Sequence, residues 1–249
     1  MMPTILIGPI ALPTYPLFLL IAYWVGLWLA AVQAEKMGID GDHVYNAGLY
    51  GLIAGIIGAR LWFVLEHWEN YIPDPMQALS LSRSALAPAE GAMVAGFVVL
   101  IYLQRNKVSL GTFLDAGAYG LTLALAIANI GAFLGGDALG AITTVPWAVE
   151  ISGTFRHPFQ LYEAVACVII LIVLLLIHYR PWPGFTFSLF IILYGFSRLA
   201  LEIFKARPDI IGNGYLTVQI VALIAIIVAL AVMAHKFNHN TIKSSSESL

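Results

Sequence analysis

Residues 156–163 read Arg-His-Pro-Phe-Gln-Leu-Tyr-Glu, which sets a guanidinium, an imidazole, an amide, a phenol and a carboxylate side by side. Directly behind them lies AVACVIILIVLLLI, an uninterrupted apolar stretch. Ionisable groups at the edge of hydrocarbon are costly to place, so a cluster of them points to a binding or proton-transfer site. The types suit such work. An imidazole exchanges a proton near neutral pH, and an arginine fork donates two parallel hydrogen bonds to a phosphate. Pro158, with its fixed φ and missing N–H, suits the first turn of a helix, so Arg156, His157, Gln160, Tyr162 and Glu163 sit where that helix begins.

A second pair, Arg198 and Glu202, is spaced i, i+4 and therefore shares a helix face. Two readings stay open for it: a structural ion pair that fixes helix packing, or an arginine that also holds a phosphate while the carboxylate orients it. Cys167 stands alone within an apolar run and reads as packing. His43, His67, His178, His235 and His239 fall in loops or at helix ends, and no second His or Cys lies at metal-ligand spacing from His157. There is no His-Glu-x-x-His, no Gly-x-Ser-x-Gly and no glycine-rich phosphate loop. Neither a metal nor a cofactor is expected.

The elements that must position these groups follow from composition. Of 249 residues, 60% are hydrophobic and only 10% charged, with a mean hydropathy of +0.87. A soluble domain carries roughly 25% charged residues, so the solvent of this chain is a lipid bilayer. No basic stripe offers a surface to nucleic acid. The pattern predicts an all-α polytopic fold with seven transmembrane helices near 16–34, 45–66, 85–104, 113–136, 160–179, 184–204 and 215–236, each close to the roughly 20 residues a bilayer needs. The third is interrupted at its start by Pro88, Glu90 and Gly91. The first lacks a basic leader and reads as a retained helix. Residues 1–237 form one transmembrane unit, and 238–249, ending in Lys-Ser-Ser-Ser-Glu-Ser-Leu, read as a disordered tail.

Lys36, Arg105, Lys107, Arg180, Lys236 and Lys243 fall on one side of these helices, and Arg83, Arg156, Lys205 and Arg207 on the other. The richer side is cytoplasmic by the positive-inside rule, which places the N-terminus outside and the C-terminus inside. Tyr15, Arg60, Glu90, Asp137, Arg156, His157, Arg198 and Glu202 then gather at the outer level, as a site for an amphiphile requires. Gly51-x-x-x-Gly55, Gly131-x-x-x-Gly135 and Gly136-x-x-x-Gly140 have the spacing that lets helices approach closely in lipid.

Further stretches carry a resemblance. They are Ile7-Gly8-Pro9-Ile10-Ala11-Leu12 leading to Tyr15, Gly58-Ala59-Arg60-Leu61, Asp115, Ile130-Gly131-x-Phe133, Pro146-Trp147-Ala148-Val149, Tyr194-Gly195-x-x-Arg198-x-x-x-Glu202 and Leu216-Thr217 reaching Gln219. With the 156–163 run, they resemble the prolipoprotein diacylglyceryl transferase family almost end to end. The resemblance implies seven transmembrane helices in the bacterial inner membrane and a site open to the outer leaflet. It implies transfer of diacylglyceryl from phosphatidylglycerol to the thiol of a prolipoprotein lipobox cysteine, releasing glycerol phosphate. That chemistry needs an acceptor for the thiol proton and a cationic clamp on the departing phosphate.

Two places depart from the family's pattern. Its His-Gly-Gly at the start of helix 3 is Glu90-Gly91-Ala92 here. Its Arg-x-Gly-Asn-Phe-x-Asn-Gly-Glu on helix 4 is Asn129 through Asp137, with Asn129 for Arg and Asp137 for Glu. We therefore expect Glu90, His157, Tyr15 and Asp137 as catalytic candidates. Arg60, Asn129, Arg156, Gln160, Tyr162, Glu163, Arg198 and Glu202 are the phospholipid-binding candidates. The alternative is a non-catalytic paralog that binds phospholipid or lipoprotein.

Overall fold

A computed structural model describes residues 4–7, 10–74, 76–77, 86–136, 139–151, 153–177, 179–206, 210–211 and 215–247. Asp137, a candidate above, lies outside the described residues. The chain opens with an antiparallel hairpin, β1 (Thr4–Ile7) and β2 (Ile10–Pro13), that runs directly into α1 (Thr14–Lys36). Then come α2 (Gly41–Glu66), α3 (Pro88–Arg105) and α4 (Leu110–Gly135). A second hairpin, β3 (Val149–Ile151) and β4 (Thr154–Arg156), leads into α5 (Phe159–Leu176). After α6 (Phe185–Leu201) and a short 3-10 turn (Glu202–Phe204), a third hairpin, β5 (Ile210–Ile211) and β6 (Tyr215–Leu216), leads into α7 (Thr217–Glu247).

The predicted and observed helices agree in order and position. Six of them are long and apolar enough to cross a membrane among the described residues. The exception is α3, where Pro88 and Glu90 at one end and Gln104 and Arg105 at the other shorten the apolar stretch. α7 continues past residue 237 over ground that the composition suggested was a disordered tail; no Gly or Pro falls between Thr217 and Glu247 to stop it.

The helices pack antiparallel to their neighbours, and small residues make the contact. Gly91 of α3 lies so close to α2 that an added Cβ would meet the Gly55 carbonyl and Ala59 Cβ at 2.6 Å, while one at Gly51 would meet Val99 at 3.0 Å. Gly120 of α4 faces the Gly26 carbonyl of α1 in the same way, and Gly131 faces Phe18. Gly195 of α6 packs on Ala222 and Ile226 of α7. A buried cluster of Ala118, Tyr119, Ile170, Leu174 and Phe190 joins α4, α5 and α6. The starts of α1, α3, α5 and α7 and the ends of α2, α4 and α6 therefore share one end of the bundle.

The opposite end has its own lock. The Asp115 carboxylate of α4 accepts the Gly184 N–H at 2.7 Å and the Phe187 N–H at 2.8 Å. It thereby satisfies amide groups that the first turn of α6 leaves without an intrahelical partner. Nearby, Arg180 donates to the Tyr119 hydroxyl, which itself donates to the Leu174 carbonyl.

Candidate active site

The site sits where α5 begins and α6 ends. Arg198, in the last turn of α6, donates through Nη2 to Glu202 Oε2 at 2.9 Å, and its Nη1 pairs with Glu163 Oε1 from the first turns of α5. Lys205 approaches the other Glu202 oxygen at 3.5 Å. Both carboxylates are buried, with Glu202 only 3% exposed and Glu163 9%. An ion removed from water stays charged only when partners replace its hydration, and this chain of four alternating charges does that. The i, i+4 spacing anticipates one of its links. The link to Glu163 joins two helices, and it turns the pair into a fixed platform for the guanidinium.

A polar triad lies at the same end. His157 precedes α5, and its Nδ1 is 3.2 Å from the Tyr162 hydroxyl. The indole N–H of Trp147, from the loop before β3, donates to the same hydroxyl at 2.6 Å. Phe204 closes the floor, its ring 4.9 Å from His157 and 5.5 Å from Tyr162, both edge-on. A small mesh of backbone bonds holds His157 and Phe204 in place. Ala141 donates to the Phe204 carbonyl at 2.7 Å, His157 donates to the Ala141 carbonyl at 2.9 Å, and Ala206 donates to the Leu139 carbonyl at 2.9 Å. Only glycine fits at Gly140, since a Cβ there would fall on the His157 carbonyl. This mesh ties the start of α5 to the exit of α6.

The other candidates divide. Arg156 turns its guanidinium to the Gly140 carbonyl at 3.1 Å and has no carboxylate partner among the described residues. Gln160, in the first turn of α5, is buried, 3% exposed. Arg60, 6% exposed, donates to the Gln77 carbonyl at 2.6 Å and lies over the Tyr71 ring. Asn129 donates to the Leu125 carbonyl one turn back on its own helix, so its amide is partly engaged in α4. Tyr15 and Glu90 occupy the first turns of α1 and α3, half-buried, at the same end of the bundle. Among the described residues, neither forms a hydrogen bond or ion pair with the Arg198 or His157 clusters.

Sequence reasoning passed over two members of the site. Trp147 carries no charge and stands in a loop, so only its place in the Pro-Trp-Ala-Val run marked it. Lys205 served only to weigh topology; its i, i+3 spacing from Glu202 was the available signal.

Between the α1–α4 and α2–α3 pairs runs an almost wholly apolar cavity of about 580 Å³, lined by Gly, Ala and larger apolar side chains from all four helices. None of the charged residues of the Arg198 and His157 clusters lines it.

A family model described as "Prolipoprotein diacylglyceryl transferase" matches residues 3–235. The chain is similar to the phosphatidylglycerol--prolipoprotein diacylglyceryl transferase of Symbiobacterium thermophilum, 32% identical over 242 residues that cover 92% of this chain and 90% of that one. The protein of the same name from Clostridioides difficile is 30% identical, covering 82% of each chain. That from Enterococcus faecalis is 28% identical, covering 88% of this chain and 84% of the other. The motifs that frame the site and the match along nearly the whole length lead to one conclusion: the chain belongs to the prolipoprotein diacylglyceryl transferase family.

Proposed function

We propose that this protein is an enzyme that moves the diacylglyceryl group of phosphatidylglycerol onto the cysteine thiol of a prolipoprotein. The observation that carries this reading is Arg198, fixed between Glu163 and Glu202 with part of its guanidinium still exposed. A guanidinium has five N–H donors, so two carboxylate contacts leave donors for a phosphate. Arg156 supplies a second positive charge that no carboxylate offsets among the described residues. As sulfur attacks the glyceryl carbon, a C–S bond forms, the C–O bond to phosphate breaks, and negative charge gathers on the departing glycerol phosphate. Cations held in advance at that position stabilise the transition state. The acceptor and the donor lipid are both substrates, so Cys167, buried in α5, takes no part.

The thiol must also lose its proton, and His157 and Glu90 are the two candidates. His157 is held within hydrogen-bond reach of Tyr162, whereas Glu90 stands apart in the first turn of α3. His157 is therefore our choice, with Tyr15, Asp137, Arg60, Asn129, Gln160 and Glu163 in binding or supporting roles. Glu90→Gln retains the side chain's shape and removes its basic group. We expect turnover in phosphatidylglycerol micelles with a lipobox peptide to fall less than threefold in Glu90→Gln and at least a hundredfold in His157→Gln, as removal of a general base does. The reverse order would hand the role to Glu90.

We further assign α3 to the membrane as a seventh span. It lies against α2 from Gly51–Val99 to Ala59–Gly91 and so shares its depth. In this arrangement the site end faces the outer leaflet, the N-terminus lies outside and the C-terminus in the cytoplasm, in keeping with the Lys and Arg balance of the connecting segments. The relatives described above all carry the transferase's name, and no feature of the site favours a paralog that only binds.

A further inference from the structure

The Trp147 indole is 61% exposed, yet its only polar atom turns inward to the Tyr162 hydroxyl at 2.6 Å. Indole N–H is a donor and nothing else, so in this bond the Tyr162 oxygen is the acceptor. That oxygen keeps one proton of its own. His157 Nδ1 lies 3.2 Å away, and its ring is fixed by the edge of Phe204 and by its backbone bond to Ala141. A hydroxyl that accepts a hydrogen bond becomes a better donor, because each bond in a chain polarises the next. An order that satisfies all three groups is Trp147 Nε1–H to Tyr162 O, and Tyr162 O–H to His157 Nδ1. Neutral His157 then carries its proton on Nε2.

We propose that Trp147 is a positioning residue for a proton relay in which Tyr162, not His157 directly, meets the acceptor thiol. The inference rests on the transferase reading above. In the relay the substrate S–H bond breaks as a new O–H bond forms on Tyr162, while the original Tyr162 proton passes to His157 Nδ1. The products of the step are a thiolate and an imidazolium, with charge and protons conserved and no other reactant needed. Trp147 touches neither the substrate nor a transferred proton. It holds the phenol oxygen and directs its proton toward the imidazole.

The charged groups around this triad are otherwise occupied. Arg156, next in sequence, faces the Gly140 carbonyl, and across the Glu202–Phe204 turn Glu202 pairs with both Lys205 and Arg198. None of these bonds competes for Nδ1 of His157.

The test uses the full-length protein in detergent, phosphatidylglycerol micelles and a lipobox cysteine peptide, with kcat and KM measured across pH. Trp147→Phe should lower kcat about fivefold, the value of one neutral hydrogen bond, leave KM for the phospholipid unchanged, and move the acidic limb of the profile to higher pH. Tyr162→Phe should lower kcat further, and adding Trp147→Phe to it should change nothing more. Nitrogen NMR of the unaltered protein should find neutral His157 protonated at Nε2, a readout independent of whether any variant folds. An unmoved pH profile in Trp147→Phe, an additive double variant, or a proton on Nδ1 overturns the relay and leaves the transferase reading standing. Absence of transfer by the unaltered protein overturns both.

Discussion

Arg198 touches carboxylates from two different stretches of chain, and the consequences of removing it are calculable. Arg198→Leu leaves Glu163 and Glu202 buried beside each other with one cation, Lys205, at the edge. Breaking such a buried arrangement costs about 3–5 kcal/mol, and we expect that loss in detergent unfolding, together with loss of transfer. Replacing Glu163 and Glu202 by Gln in the same chain removes the stranded charges, and should restore most of the stability but none of the activity. A triple variant no more stable than Arg198→Leu would show that the pair is not electrostatically coupled. How much of this the sequence reveals depends on the distance along the chain. Arg198 and Glu202 are one helical turn apart and can be read directly. Glu163 joins them only because α5 and α6 pack antiparallel, and Trp147 joins Tyr162 only because the β3–β4 hairpin folds back over the start of α5.

The helices themselves are legible from hydrophobic runs and their interruptions, and even the weakness of α3 is visible in Pro88 and Glu90. The hairpins are not, since strands of two to four residues in Ile- and Val-rich sequence look the same as helix ends. The glycines give the element scale its sharpest contrast. Gly91 is pressed against the α2 backbone, whereas a Cβ at Gly96, one and a half turns on, would meet nothing within 4 Å. Gly91→Ala should destabilise by about 1–3 kcal/mol through overpacking. Gly96→Ala should be neutral or stabilise by up to about 1 kcal/mol, because alanine restricts the unfolded chain. Melting temperatures of the two variants in one detergent will check this, and equal shifts would mean that α2 and α3 do not meet where described. The other glycine spacings are less uniform than their pattern suggests: Gly131 makes room for Phe18, and Gly140 for the His157 carbonyl outside any helix.

At the scale of the molecule, one end carries the three hairpins, the Arg198 platform and the Trp147–Tyr162–His157 triad, while the other carries the Asp115 lock on α6. Reporter fusions are expected to place the 139–156 segment outside the cell and residue 247 inside, and a cytoplasmic signal from the former would invert the assignment. The Arg198 platform has a further consequence, for the order in which the protein is made. α5 leaves the ribosome before α6 and carries Glu163 near its start, whereas the cation that neutralises Glu163 is near the end of α6. A lone α5 in lipid would hold a carboxylate with no counter-ion, which membrane insertion disfavours by several kcal/mol. The pairing favours insertion of α5 and α6 together as a helical hairpin, and Arg198→Leu is expected to lower the yield of membrane-inserted protein. The contact that readies the guanidinium for substrate is then also one that the chain can complete only after α6 has been made.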